Sequence, residues 1–162
     1  MSTLLLFTDG SVHIQSKVGY GAFLALNDDE NRPLGISEVS KLAERVQTKR
    51  FEDTSSTRLE LQTLLWAVDA LSPIKQKIII HTDSQNIIGL PGRRDRLQRQ
   101  DYYTKRHQRL KNHGLYRRFY DVMDSLDITL VKLEGHKPAA AHTERDRLFA
   151  LVDKASREAM RG

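Results

Sequence analysis

Leu4-Leu5-Leu6-Phe7-Thr8-Asp9-Gly10-Ser11 and Ile78-Ile79-Ile80-His81-Thr82-Asp83-Ser84 have the same form: a short apolar run closed by Asp and a small polar residue. Runs of this kind suit strands buried on both faces. The first strand is expected over Thr3–Thr8, ending at the turn signal Asp9-Gly10-Ser11, and its counterpart over Lys77–Thr82. In sheets with parallel strands, ligands lie outside the carboxyl ends of the strands, so two Asp at two such ends can face one site. Taken alone, either Asp is better explained as a turn residue that bonds its own backbone.

The neighbouring segments complete a sheet. A second strand is expected over Gly19–Leu26, with Gly19 and Gly21 flanking Tyr20, and the polar run Asn27–Asn31 makes a hairpin. A third strand is placed within Leu34–Leu42, where Ile36, Glu38 and Ser40 alternate with Ser37, Val39 and Lys41. Val46–Ser56 reads as a loop. Leu61, Leu64, Leu65, Val68 and Leu71 recur at helical spacing, so a helix spans Thr57–Leu71, with Ser56 or Thr57 as N-cap and Ser72-Pro73 as its end. Trp66 falls beside that stripe as a packing residue. Later come a short helix over Ser84–Leu90 ending at Pro91-Gly92, a basic helix over Leu97–Lys111 and a helix over Leu115–Leu126. A strand over Ile128–Leu133 and a helix over Thr143–Met160 finish the chain. The order β-β-β-α-β-α-α-β-α predicts an α/β fold, a five-stranded mixed sheet flanked by helices.

The chain has 162 residues, which fits a single domain over 1–162. No cysteine is present, so disulfides, thiol nucleophiles and thiolate metal sites are excluded, and a reducing cytoplasmic location is expected. No apolar run approaches the ~20 residues that cross a bilayer. The N-terminus enters a strand-like run without a basic leader, so no signal peptide is expected. Net charge is +5, but it is unevenly placed. Between Arg93 and Arg118 ten Lys/Arg stand against Asp95 and Asp101, a local +8 that leaves the rest of the chain at −3. Such a patch suits a polyanion, and equally a solvated helix surface.

Glu60 lies inside the apolar register of the Thr57–Leu71 helix, between Leu59 and Leu61. A buried lone carboxylate is costly, so such groups pair or bind a metal. As an ordinary first-turn acid, Glu60 would instead be favoured by the helix dipole. The joint placement of Asp9, Glu60 and Asp83 favours an acidic nest, which a fourth acid on the last helix would complete. All-oxygen ligation selects a hard ion, Mg²⁺ or Mn²⁺. Several carboxylates sharing a small site suit two ions about 3.5–4 Å apart, the arrangement that clamps the attacking and leaving oxygens of a phosphodiester.

Over essentially its full length the chain resembles the type 1 ribonuclease H family. The matching pieces are Phe7-Thr8-Asp9-Gly10-Ser11, Gly19-Tyr20-Gly21-Ala22, Thr57-Arg58-Leu59-Glu60-Leu61, Thr82-Asp83-Ser84-Gln85, and Gly135-His136 before a final acidic helix. The resemblance implies the ribonuclease H-like fold and an endonuclease that cuts the RNA strand of RNA–DNA hybrids with two Mg²⁺. It implies an Asp, Glu, Asp, Asp set, of which Asp9, Glu60 and Asp83 match the first three. Asp146 has the family's usual spacing from His136. Asp153 has the better context, Val152-Asp153-Lys154-Ala155, and is preferred as fourth ligand. Asp146 is then a capping-box acid with Thr143. His136 matches the family's loop histidine, suited to proton transfer or product departure; a plain turn histidine fits the same residue.

The hybrid's minor groove carries 2′-hydroxyls on one strand only, which polar side chains can read. By resemblance this falls to Ser55, Ser56, Thr57 and Gln85, with Arg58 also assigned to substrate and Gly10 and Ser11 beside the metals. The family's frequent Asn pair before the Arg is absent here. The segment over about 92–112 matches a basic insertion in some members that grips DNA phosphates, which assigns Arg94, Arg96, Arg99 and Arg106 to substrate. Tyr102 and Tyr103 fit a stacking role and, slightly better, the apolar side of that helix. A monomer is expected. The competing readings are a nuclease of this fold acting on DNA, and a binding module without catalysis.

Overall fold

The computed structural model describes residues 2–28, 36–134 and 137–162. Its strands are β1 (Leu4–His13), β2 (Val18–Asn27), β3 (Gln47–Phe51), β4 (Ile78–Thr82) and β5 (Ile128–Lys132). Its helices are α1 (Ile36–Ala43), α2 (Ser56–Leu71), α3 (Gln85–Arg99), α4 (His113–Ser125) and α5 (Glu144–Arg161). The strands form one sheet in the order β3-β2-β1-β4-β5. β1 pairs antiparallel with β2, and β2 with β3; β1 pairs parallel with β4, and β4 with β5. The sheet is therefore mixed, with its two parallel pairs on one side of β1. Among the described residues no helix is long and apolar enough to cross a membrane.

Each sheet face has its own core, because side chains alternate along the strands. Leu4, Leu6, Ile78 and Ile80 face α2, whose Leu61, Leu64, Leu65 and Val68 are buried there, with α3 and α4 adding Ile87, Leu90, Phe119 and Tyr120. Leu5, Phe7, Ala22 and Leu24 face the other way and meet Leu148 and Val152 of α5. Trp66 packs at the edge of the first core, its ring edge-on to Phe23 with centroids 4.8 Å apart.

Two glycines let α2 lie directly on the sheet. A Cβ on Gly21 would stand 2.1 Å from Thr63 Oγ1, and one on Gly19 2.7 Å from a Leu59 methyl. The Gly19-Tyr20-Gly21 spacing is thus a packing requirement of the turn of helix that carries Glu60.

Several local expectations are corrected. β1 does not stop at Asp9 but runs on to His13, paired with β2 throughout. Asp9 is therefore a strand residue, not a turn residue. The third strand is Gln47–Phe51, inside the stretch read as a loop, while Ile36–Ala43 is helical. β3 is an edge strand whose Gln47 to Arg50 are all exposed, so it carries no apolar signal. The N-cap of α2 is Ser55, whose Oγ accepts from the Arg58 N–H, rather than Ser56 or Thr57. α3 continues through Pro91 and Gly92 to Arg99. Beyond it the predicted Leu97–Lys111 helix is absent. Residues 100–112 instead form a turn-rich loop with a Tyr103↔Arg109 bridge and left-handed backbone at Asp101, Tyr102 and His107.

Candidate active site

The parallel ladder between β1 and β4 ends at the pair Phe7↔His81. Asp9 lies two residues further along β1, so strand alternation directs it to the face that α5 covers, and Asp83 follows directly on the end of β4, close enough for its charge to act on Asp9. The Asp9 carboxyl is held well above the usual carboxylate range. Burial is the main cause; the charge of Asp83 and a hydrogen bond with the Asp153 side chain add to it, against a bond from the Gly10 backbone N–H.

Asp153 is delivered by α5. Its carboxyl also pairs with Arg157 one turn on, at 2.9 Å. Ser156 Oγ lies 3.0 Å from Ser11 Oγ, which ties the helix to β1 just beyond Asp9. Asp146 sits elsewhere. It closes a capping box with Thr143 at the start of α5, its Oδ2 accepting from the Thr143 N–H at 2.8 Å and facing Lys137 Nζ at 3.4 Å. These contacts, the Thr143 N–H foremost, hold its carboxyl below the usual range.

Glu60 reaches the same end of the sheet from the other face. Its Oε2 accepts from Ser84 Oγ at 2.5 Å. Burial raises its pKa, the Ser84 bond opposes the rise, and the Asp83 charge adds to it. Ser84 also caps α3 by accepting from the Ile87 N–H at 3.2 Å. Sequence reading passes over Ser84 as a site residue, although its place directly after Asp83 and before a helix is the signal of such a cap.

The acids thus approach pairwise: Asp9 with Asp83, Asp9 with Asp153, Glu60 with Asp83. Among the described residues no three Asp, Glu or His close into a finished metal cage. The donor set is nonetheless the right chemistry for hard divalent ions: carboxylate oxygens only, one of which, on Asp9, resists ionisation mainly because it is buried and further because of repulsion from Asp83. A cation among them would relieve that repulsion.

The remaining candidates are spread more widely. Ser56 is exposed and Thr57 half-buried at the start of α2, while Arg58 Nη1 donates to Asn112 Oδ1 at 3.1 Å. Gln85 Oε1 accepts from Lys132 Nζ at 2.7 Å. Arg94 is held by Asp124 through two bonds of 2.6 Å and lies over the Tyr120 ring. Arg109 and Arg117 share Asp101, and Arg118 pairs with Asp69. Arg96, Arg99 and Arg106 enter no ion pair among the described residues. Arg96 lines a cavity of about 290 Å³ with Arg93, Lys105, Tyr103 and Tyr116. Tyr102 is buried in the core and Tyr103 is 40% exposed, so the two tyrosines do not share a role. Gly135 and His136 lie outside the described residues.

A sequence profile of the RNase H family matches residues 1–156. No curated protein matches the chain by sequence. Among solved structures, the fold is similar to the RNase H domain of PFV in solution, with TM-score 0.68 and 12% identity over 97% of this chain and 92% of that one. It is also similar to the foamy viral protease–reverse transcriptase in complex with dsDNA, with TM-score 0.62 and 15% identity over 96% of this chain and 93% of that one. LC9-RNase H1, a type 1 RNase H with the type 2 active-site motif, gives TM-score 0.65 and 13% identity over 98% of this chain and 72% of that one.

Proposed function

The chain belongs to the RNase H family, and on that basis we propose that Asp9, Glu60, Asp83 and Asp153 hold two divalent ions, Mg²⁺ by preference, to hydrolyse the RNA strand of RNA–DNA hybrids. The observation that carries this reading is the pairwise approach of Asp9 to Asp83 and to Asp153, and of Glu60 to Asp83, with the Glu60 carboxylate held by Ser84. The ions, when bound, supply an activated water and neutralise charge on the phosphate and the leaving oxygen.

The chain's own residues do the rest. β1 holds Asp9 within a strand, and β4 leads directly into Asp83. Ser84 fixes the Glu60 carboxylate, and the Ser11–Ser156 bond fixes α5 beside β1. Gly10 and Ser11 follow Asp9 along β1, Ser56, Thr57 and Arg58 precede Glu60 in the first turn of α2, and Gln85 opens α3 after Asp83. These polar groups suit the 2′-hydroxyls and phosphates of the RNA strand. Arg96, Arg99 and Arg106, free of acidic partners among the described residues, are the arginines for phosphate contact. Arg94 contributes less because Asp124 already holds both its terminal nitrogens. His136 remains the candidate for proton transfer or product departure.

The test is cleavage of an end-labelled RNA–DNA hybrid with Mg²⁺, beside RNA duplex, DNA duplex and single strands. Cutting of the RNA strand of the hybrid alone is the expected result. Cutting of DNA would place the chain among DNA nucleases of this fold. Tight hybrid binding without cutting would make it a binding module.

A further inference from the structure

His81 belongs to β4, the strand that leads into Asp83, and touches both β1, which carries Asp9, and α5, which carries Asp153. It lies on β4, two residues before Asp83, and is fully buried. Its ring stacks on Phe7 of β1, two residues before Asp9, with centroids 4.3 Å apart and planes 10° from parallel. Nδ1 is 3.1 Å from the Leu6 carbonyl oxygen, and Nε2 is 2.9 Å from Arg145 Nη1 in the first turn of α5. A carbonyl only accepts and a guanidinium only donates, so these partners assign the tautomer: Nδ1 carries the hydrogen and Nε2 accepts.

The contact gives α5 a fixed seat. Leu148 and Val152 hold the helix by apolar packing, which is non-directional. The capping box of Thr143 and Asp146 closes the helix on itself and does not bind it to the sheet. Besides the Asp9–Asp153 bond itself, two directional bonds among the described residues do: Arg145 to His81 at one end and Ser156 to Ser11 at the other. Asp153 lies between them, roughly 12 Å along the axis from Arg145. Arg145 enters no ion pair among the described residues, so its bond to His81 supplies direction rather than charge neutralisation.

We propose that His81 and Arg145 are a positioning pair for Asp153: an imidazole locked between β1 and β4 receives the guanidinium of α5 and sets where the helix carboxylate meets Asp9. The inference rests on the reading of Asp153 as a metal ligand. Residues that orient a ligand from behind commonly change metal affinity about 10–100-fold when lost.

The test uses Arg145→Met, which keeps an unbranched apolar stem and the helix propensity of the side chain and loses the donor. Arg145→Lys, which keeps a donor, and His81→Phe, which keeps the stack and loses both bonds, accompany it. Mg²⁺ affinity of the free protein is measured by calorimetry, the thermal midpoint by circular dichroism, and kcat and KM on the hybrid. Expected for Arg145→Met are Mg²⁺ affinity weaker by about 10-fold, a lower kcat, an unchanged KM for hybrid, and partial recovery of Mg²⁺ affinity in Arg145→Lys. Wild-type Mg²⁺ affinity in Arg145→Met overturns the pair, as does a loss of activity explained entirely by a lower thermal midpoint. Should His81→Phe fail to fold, the two Arg145 variants decide between these outcomes. Asp153→Asn separates the pair from the ligand reading: if it keeps full Mg²⁺ affinity, the ligand reading itself fails. If it loses Mg²⁺ while Arg145→Met does not, only the positioning pair fails.

Discussion

Ser84 Oγ donates to Glu60 Oε2 at 2.5 Å while accepting from the Ile87 N–H at 3.2 Å. One hydroxyl therefore starts α3 and holds a carboxylate that arrives from α2 on the far side of the sheet end. Ser84→Ala is expected to weaken Mg²⁺ affinity by about 10-fold through the freed Glu60. It should also cost about 1 kcal/mol of stability through the missing cap. Calorimetry with Mg²⁺ and urea unfolding read the two effects separately, and Ser84→Thr should retain most of both. Unchanged Mg²⁺ affinity in Ser84→Ala would contradict the role given to the Glu60 bond.

Gly21 is required by the close approach of α2. Gly21→Ala should destabilise the fold by about 1–3 kcal/mol, the usual cost of overpacking. Thr63 Oγ1 is the atom in the way, at 2.1 Å from the added Cβ, and it is itself buried without a hydrogen-bond partner. The double variant Gly21→Ala, Thr63→Ala should recover part of the loss. Urea midpoints of the two single variants and the double variant check this; strictly additive losses would contradict it.

Asp146 serves stability. Its carboxyl is held below the usual range in the folded chain, chiefly by the Thr143 N–H. A depressed folded pKa contributes stability above the unfolded pKa, and that contribution is lost as pH falls through the folded value. Asp146→Ala should therefore be less stable than wild type at pH 7 by about 1 kcal/mol. The gap should narrow as pH is lowered below about 4, where the unfolded carboxylate takes up its proton. A gap that does not depend on pH would contradict the assignment.

The free arginines and the tied one should behave differently. Neutralising Arg96, Arg99 and Arg106 together should weaken hybrid binding and lower the dependence of log K on log salt by about one unit for each phosphate no longer neutralised. Arg94→Ala removes a bidentate bond to Asp124, so it should change the salt slope least. Binding measured across a salt series distinguishes them, and an equal effect from Arg94→Ala would contradict the division.

Much of this architecture is legible in the sequence because its signals are strong there. The apolar runs before Asp9 and Asp83 and the Leu61–Leu71 stripe each point to one structure. The departures fall where the physics is local and weak. β3 is an exposed edge strand of polar residues, so no periodicity marks it. α1 is open to two readings, since the alternation at Ile36, Glu38 and Ser40 coexists with helical spacing of Val39 and Leu42. Pro91 and Gly92 usually end a helix, but here the turn they occupy is exposed and flanked by the buried Leu90 and Leu97. The loop after Arg99 is held by side chains, with Asp101 taking both Arg109 and Arg117 and Arg117 lying over the Tyr102 ring. Interactions of that kind leave no pattern along the chain. Ser84 and Arg145 act through partners distant in sequence, and only the fold reveals them.

The most direct test of the central claim compares Asp9→Asn, Asp153→Asn and Asp146→Asn in single-turnover cleavage of a labelled RNA–DNA hybrid with Mg²⁺. Loss of cleavage in Asp9→Asn and Asp153→Asn, with hybrid binding kept, and cleavage retained in Asp146→Asn, is the predicted result. Cleavage retained in Asp153→Asn and abolished in a folded Asp146→Asn would contradict the account.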